Sequence, residues 1–306
     1  MLQSGEQKES IKIAMVKIYI CLVIGIISIS LAAIFAKFCY DVPSTMIATY
    51  RMGISAILLF VIFPFSKTKA ISLLNKKNIF MCFLSGIFLS MHFIFWFISI
   101  KLTNIASSVV LVTTSPIFLG IISKFILKKQ IPRKITAGIL LSFVGTLLIA
   151  QSDSNILNQI NVNILLGDFM ALLGSLMASL YLLIGGIQRT RQTTFEYIFL
   201  TYSFSAIILI LLSVFLDIPF TGFEKEAYLF LILLAIIPQL LGHTIFNYSL
   251  KHLSPESVAI TILGEPVGAS ILAYFIFDEK LQALQVIGII LILYSIILAT
   301  KIELNH

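Results

Sequence analysis

Charge is scarce in this chain. Asp, Glu, Lys and Arg together make up 11% of its 306 residues, whereas soluble globular domains carry roughly 25%. A chain this poor in charge is not built to cover itself with a water-facing surface. The 14 acidic residues are scattered rather than clustered, the four histidines form no HExxH motif, and no glycine-rich phosphate loop of the GxxxxGK[ST] type is present. An ATP-driven pump is therefore excluded, and an intramembrane enzyme acting on lipid-linked substrates stays only as an alternative from a different class, because it would need grouped acids or histidines to hold metal and diphosphate. Cysteine is equally sparse. Cys21, Cys39 and Cys82 lack metal-ligand spacing and suggest neither a disulfide framework nor a zinc site. No catalytic residue, metal or cofactor is implied.

What is abundant is apolar sequence. Hydrophobic residues account for 59% of the chain and the mean hydropathy is +1.05. Runs such as Ile18–Phe38, Leu165–Ile184 and Val286–Leu298 reach or approach the roughly 20 residues that span a bilayer. They do not alternate polar with apolar residues, so they read as helices rather than strands of a membrane barrel. The first run is too long for a cleaved signal peptide and is taken as the first span. Spans are expected near 17–38, 44–65, 79–100, 104–127, 134–151, 165–187, 195–216, 227–250, 255–277 and 282–300.

The formal net charge of +7 calls for no nucleic-acid partner, because the basic residues sit in short loops. With a cytoplasmic N-terminus, 16 of the 21 Lys and Arg residues fall in inner segments, four in outer ones, and Arg51 inside a span. By the positive-inside rule both termini lie in the cytoplasm of a cell whose plasma or inner membrane the chain crosses.

Shifting the chain by 150 residues lays Ser99, Lys101, Ser107, Pro116, Phe125, Gly138 and Leu141 on Ser249, Lys251, Ser257, Pro266, Phe275, Gly288 and Leu291 without a gap. The chain is thus two copies of a five-helix unit. The expected order is an N-terminal tail over 1–16, a first repeat over 17–151, an external linker over 152–164, a second repeat over 165–300 and a tail over 301–306. Five is odd, so the second copy enters the membrane from the other side, the inverted arrangement of alternating-access transporters. Loop charges agree: inner Lys128 and Lys129 fall opposite outer Asp278 and Glu279.

Two stretches, Gly242–Leu281 (GHTIFNYSLKHLSPESVAITILGEPVGASILAYFIFDEKL) and Leu102–Lys129 (LTNIASSVVLVTTSPIFLGIISKFILKK), resemble the repeat signatures of EamA-type members of the drug/metabolite transporter superfamily. GDFMALLGSLMASLY at Gly167–Tyr181 and TYR at Thr49–Arg51 are similar to further family positions. One departure is Lys129, where the family often carries the acid that this chain keeps at Glu279. The resemblance implies a ten-helix, all-α membrane fold. Its central cavity would be lined mainly by the first, third, fourth, sixth, eighth and ninth helices, and its function would be the transport, often the export, of small metabolites.

Polar groups inside a bilayer are costly and mark function by default. Glu265, in ILGEPVGA, lies ten residues into its span and so, at a rise of about 1.5 Å per residue, near the midplane. It reads either as a proton or cation site or as a neutral carboxyl bonded across helices beside Pro266, which frees a carbonyl and loosens the helix. The first repeat places Ser115 and Pro116 at the equivalent positions. Helical spacing sets Ser85, Leu89, His92, Trp96 and Ser99 on one face, and Gln239, His243 and Asn247 on another. Taken singly, each polar residue reads as packing, and Trp96 as an interfacial anchor. The two stripes belong to repeat-equivalent helices and together read as a cavity. A carboxylate among aromatic walls suits an ammonium group. Arg51 lies close enough to the outer end of its span to snorkel and is expected to serve structure or gating rather than substrate binding, Asp168 to cap the sixth helix, and the small residues Ser28, Ala32 and Ala36, with Gly174 and Ala178, to let helices approach.

The reading reached is a secondary transporter in the lipid bilayer exporting a small amphipathic solute such as an amino acid or amine, with protons as a coupling ion. The alternative within transporters is a nucleotide-sugar or phosphometabolite exchanger, which would demand more cavity cations than Arg51. A homodimer is left open.

Overall fold

A computed structural model of the chain describes residues 2–66, 68, 75–103, 105–151, 162–277 and 281–303, and among these the side chains of residues 16–300 except 106, 150, 151, 273, 276 and 277. Among these residues the fold is entirely helical: α1 (Leu2–Lys37), α2 (Ser44–Ile62), α3 (Lys76–Leu102), α4 (Ile105–Val112), α5 (Ser115–Ile121), α6 (Arg133–Gln151), α7 (Val162–Arg189), α8 (Thr194–Phe215), α9 (Lys225–Leu234), α10 (Thr244–Ser249), α11 (Pro255–Ile262), α12 (Gly264–Phe277) and α13 (Ala283–Glu303). Eight helical runs, among them Ser107–Ile126 and Lys225–Ser249, are long and apolar enough to cross a bilayer. With α6 and the α11–α12 pair they make the ten spans of two inverted five-helix halves. The charges expected to oppose across the repeats, Asp278 and Glu279, lie outside the described residues, as do most of the external linker and the side chains of the N-terminal tail.

Three spans depart from the single helices expected. The fourth breaks between Val112 and Ser115 and continues past α5 in a π-helical turn, Ile122–Ile126. The ninth breaks at Leu263. The eighth runs through α9, a π-helical stretch at Ala235–His243, and α10. Proline explains the placement. Pro116 and Pro266 stand in the first turns after the two breaks, where their missing N–H costs nothing, and Pro238 lies inside the π-helical stretch, where a helix must widen around a lost bond. The first helix is also longer than its span, because its backbone is helical from Leu2.

Helix starts carry local signals. Asn75 accepts from the amides of Lys77 and Asn78, Thr193 and Glu196 form a capping box at α8, and Ser254 caps α11 ahead of Pro255. Packing then interleaves the two halves, with α3 on α7, α6 on α13, α2 on α8, and α1 against the eighth and ninth spans. Small residues permit this closeness. A Cβ on Gly145 would lie 2.8 Å from the Gly288 carbonyl oxygen where α6 crosses α13. A Cβ on Gly264 would meet Ile26 of α1 at 2.8 Å, and one on Gly268 would strike Ser30. Buried hydroxyl pairs, Thr49 with Ser213 and Ser90 with Ser205, each at 2.9 Å, join α2 and α3 to α8. Exposed Phe60, Phe125 and Phe215 present the apolar outer face that lipid requires.

Candidate functional site

The two helix breaks fall at the same place in the two halves, Thr113–Thr114 and Leu263–Gly264, 150 residues apart. Discontinuous helices in corresponding positions are how transporters bring backbone ends to a central site. At the second break, Glu265 occupies the first turn of α12, 8% exposed, where the positive end of the helix dipole favours a carboxylate. A hydroxyl from α1, Ser30, donates to the Glu265 carbonyl at 3.3 Å.

Glu265 lines a central cavity together with Ile29 and Ala32 of the first span, Arg51 of the second, His92 and Trp96 of the third, Val112, Thr113 and Ser115 of the fourth, Ala178, Tyr181 and Leu182 of the sixth, His243 and Phe246 of the eighth, and Ile262 beside it. These are the six helices expected from the resemblance, plus the second. The free space is 40 Å³, room for about three waters.

Arg51 is the main correction to the sequence reading. Its side chain does not snorkel. It is 1% exposed, its Nε donates to Gln239 Oε1 at 2.9 Å, and its guanidinium lies 4.1 Å over the Phe93 ring and 6.0 Å from that of Trp96. Gln239 is delivered to it by the π-helical stretch. Depth counted along α2 could not reveal a partner supplied by a distortion in another helix.

His92 donates from Nδ1 to the carbonyl of Gly174 at 2.9 Å. That bond requires the proton on Nδ1 and leaves Nε2 as an acceptor. Gly174 lets α7 come close at this point: a Cβ there would meet Val112 Cγ2 at 3.3 Å, with the His92 carbonyl at 3.4 Å. Trp96 stacks near-parallel on His92 at 6.3 Å and is 3% exposed. It is a cavity wall rather than the interfacial anchor considered above. His243 meets Phe93 edge-on at 5.5 Å, so the polar stripes of the third and eighth spans do converge, with Phe93 between them. Asn247 stands behind the wall: its amide donates to the Tyr181 hydroxyl at 2.6 Å, the Tyr202 hydroxyl at 3.2 Å and the His243 carbonyl at 2.9 Å. Pro116 borders a separate crevice with Thr113, Thr114, Ser142 and Leu263, and Pro266 faces neither space.

Asp168 is a second correction. Helix α7 begins at Val162, so Asp168 lies well inside it and caps nothing; its Oδ1 is buried without a hydrogen-bond partner. The apolar run starts at Leu165, but the more polar turn before it is also helical. The residue most clearly missed is Tyr181. It closes the GDFMALLGSLMASLY stretch, one turn beyond Ala178, and a phenol at the end of a small-residue stripe was the signal available. Among the described residues no group of three or more His, Cys, Asp or Glu could hold a metal.

A ten-span, inverted-repeat helical bundle with paired helix breaks around a central cavity that holds Arg51, His92 and Glu265 in a mostly apolar wall is the architecture of a membrane transporter. The chain belongs to the EamA-like transporter family, whose model matches residues 16–151 and 165–301, and thus to the drug/metabolite transporter superfamily. It is 26% identical over 220 residues to an uncharacterized transporter of Archaeoglobus fulgidus, covering 71% of this chain and 73% of that one. It is 23% identical over 266 residues to the uncharacterized transporter YyaM of Bacillus subtilis, covering 86% of each. A crystal structure superposes with a TM-score of 0.74 over 94% of this chain and 97% of its own, at 16% identity, a likeness of fold.

Proposed function

We propose that this transporter is a secondary, alternating-access exporter of a small amphipathic metabolite, an amino acid or an amine, coupled to protons through Glu265, in a plasma or inner membrane with both termini cytoplasmic. The observation that carries the proposal is the carboxyl of Glu265 at the cavity wall, on the first turn of a broken helix, among the rings of Trp96, Tyr181 and Phe246. A carboxylate with aromatic walls attracts an ammonium group by charge and by cation–π contact. A protonatable group that both solute and proton can reach is what coupling requires. The exchanger reading fits less well, because Arg51 is the one Lys or Arg among the residues described as lining the cavity, and a phosphorylated solute calls for several.

The test is flux in liposomes. Purified protein should stimulate solute movement, and an imposed pH gradient should accelerate it. Glu265→Gln should fold and permit solute exchange yet lose the acceleration. Undiminished gradient-driven uptake by the Gln variant would reduce Glu265 to a hydrogen-bonding strut, and a wild type indifferent to the gradient would make the protein a facilitator.

A further inference from the structure

In and directly behind the same cavity wall are buried N–H donors with nothing to donate to. Arg51 Nη1, Trp96 Nε1 and Gln239 Nε2 are sealed from solvent and have no hydrogen-bond partner, on side chains 1%, 3% and 0% exposed. Proteins rarely leave buried donors unpaired, and a bilayer offers no water to satisfy them from outside. The three belong to one cluster, because Gln239 holds Arg51 through Nε and the guanidinium sits over Phe93 and close to Trp96. The clamp from Gln239 Oε1 fixes the plane of the guanidinium while leaving Nη1 unbound.

We propose that Arg51 and Trp96 form a carboxylate subsite, with Gln239 as a positioning residue, so that the solute is a zwitterion whose carboxylate meets these donors and whose ammonium group faces Glu265. Two oxygens on one carbon match a guanidinium edge and an indole N–H, and a charge-assisted bond is the strongest pairing available to either donor. The opposite ends of the solute then meet opposite charges, Arg51 from the second span and Glu265 from the ninth, and the bound solute neutralises both. A simple amine would leave the guanidinium unpaired, and a simple acid would leave Glu265 unpaired. Discrimination comes from those unpaired groups, which a site built for hydrogen bonding penalises more heavily than it penalises a change of shape. This subsite rests on the proposed transport of amino acids or amines and narrows it to the former.

The experiment measures thermal stabilisation and affinity of the full-length purified protein with the L-amino acids, each stabilising one paired with its decarboxylated amine and its deaminated acid. At least one amino acid should bind, and both of its truncated partners should bind at least tenfold more weakly. Trp96→Phe keeps the ring and removes the donor. It should weaken the amino acid about ten- to a hundredfold, weaken the amine far less, because the ring that faces the ammonium group is kept, and leave the ligand-free melting temperature close to that of the parent. Arg51→Gln should abolish amino-acid binding and Arg51→Lys should restore part of it. Amines that bind as tightly as their parent amino acids, or a Trp96→Phe protein with unaltered amino-acid affinity, would overturn the subsite while leaving amine transport standing. If neither amino acids nor amines bind, the subsite and the proposed solute class fall together.

Discussion

Asn247 does not line the cavity but bonds to two residues that do, Tyr181 and His243, and that distinguishes it from His243 on the same helical stripe. Its amide reaches two tyrosine hydroxyls and the His243 carbonyl, so its removal takes a buried donor away from all of them. Asn247→Leu should therefore destabilise the ligand-free protein by about 1–3 kcal/mol, seen as a fall of several degrees in the thermal midpoint. An unchanged midpoint would show that the tyrosines find other partners. At this scale the sequence was readable where a residue clashes with its surroundings. Glu265 stands out in ILGEPVGA, and the spacing of His92 with Trp96, and of His243 with Gln239, set them on helical faces. What spacing could not supply was the third dimension: that Arg51 is 1% exposed and clamped by Gln239, or that Asn247 stands one layer behind the wall. Those follow from how α2 meets the π-helical stretch, and no local pattern encodes that meeting.

At the scale of elements, the repeat foretold the equivalence of the fourth and ninth spans, but the break in each was legible only as a proline. A proline is compatible with a kink, a first turn or a clean interruption, and tertiary packing chooses among them. Packing also sets an asymmetry between the ends of these spans. Where α5 gives way to its π-helical turn, the Ser123 hydroxyl donates to the carboxyl of Glu256 at the start of α11, both buried. The sequence has alanine at the two repeat-equivalent positions, 106 and 273. A latch at this end would bias the proposed transport cycle. Because a hydrogen bond contributes about 0.5–1.5 kcal/mol, Ser123→Ala should raise the population opened at that end by about two- to tenfold. A cysteine replacing Ser115, 2% exposed at the cavity wall, would report it as faster reaction with a small thiol reagent. An unchanged rate would mean that the α5–α11 contact stays shut without the bond.

For the molecule as a whole, the number of spans and their pairing into halves were legible because hydropathy and an odd-membered repeat are global properties. Orientation rests on the distribution of positive charge, 16 residues against four, and leads to the last prediction. Thr221 and Lys76 are exposed at opposite ends of the bundle. In a background lacking the reactive native cysteines, a cysteine at Thr221 should react with an impermeant maleimide in intact cells, and one at Lys76 only after permeabilisation. Thr221 is the better probe than its neighbour, because Gly222 holds φ 101°, where any side chain is strained. Cys39 can be retained as an internal control. It lies just past the end of α1, fully buried, with Sγ 3.7 Å from the Ala227 carbonyl oxygen. Burial, with the nearby charge of Asp41, pushes its thiol up to about 12, and since the thiolate is the reactive form, Cys39 should stay unlabelled near neutral pH and react only on unfolding or under strong alkali. Labelling of the Lys76 site from outside, with Thr221 protected, would invert the molecule in the membrane and turn the proposed exporter's two faces around.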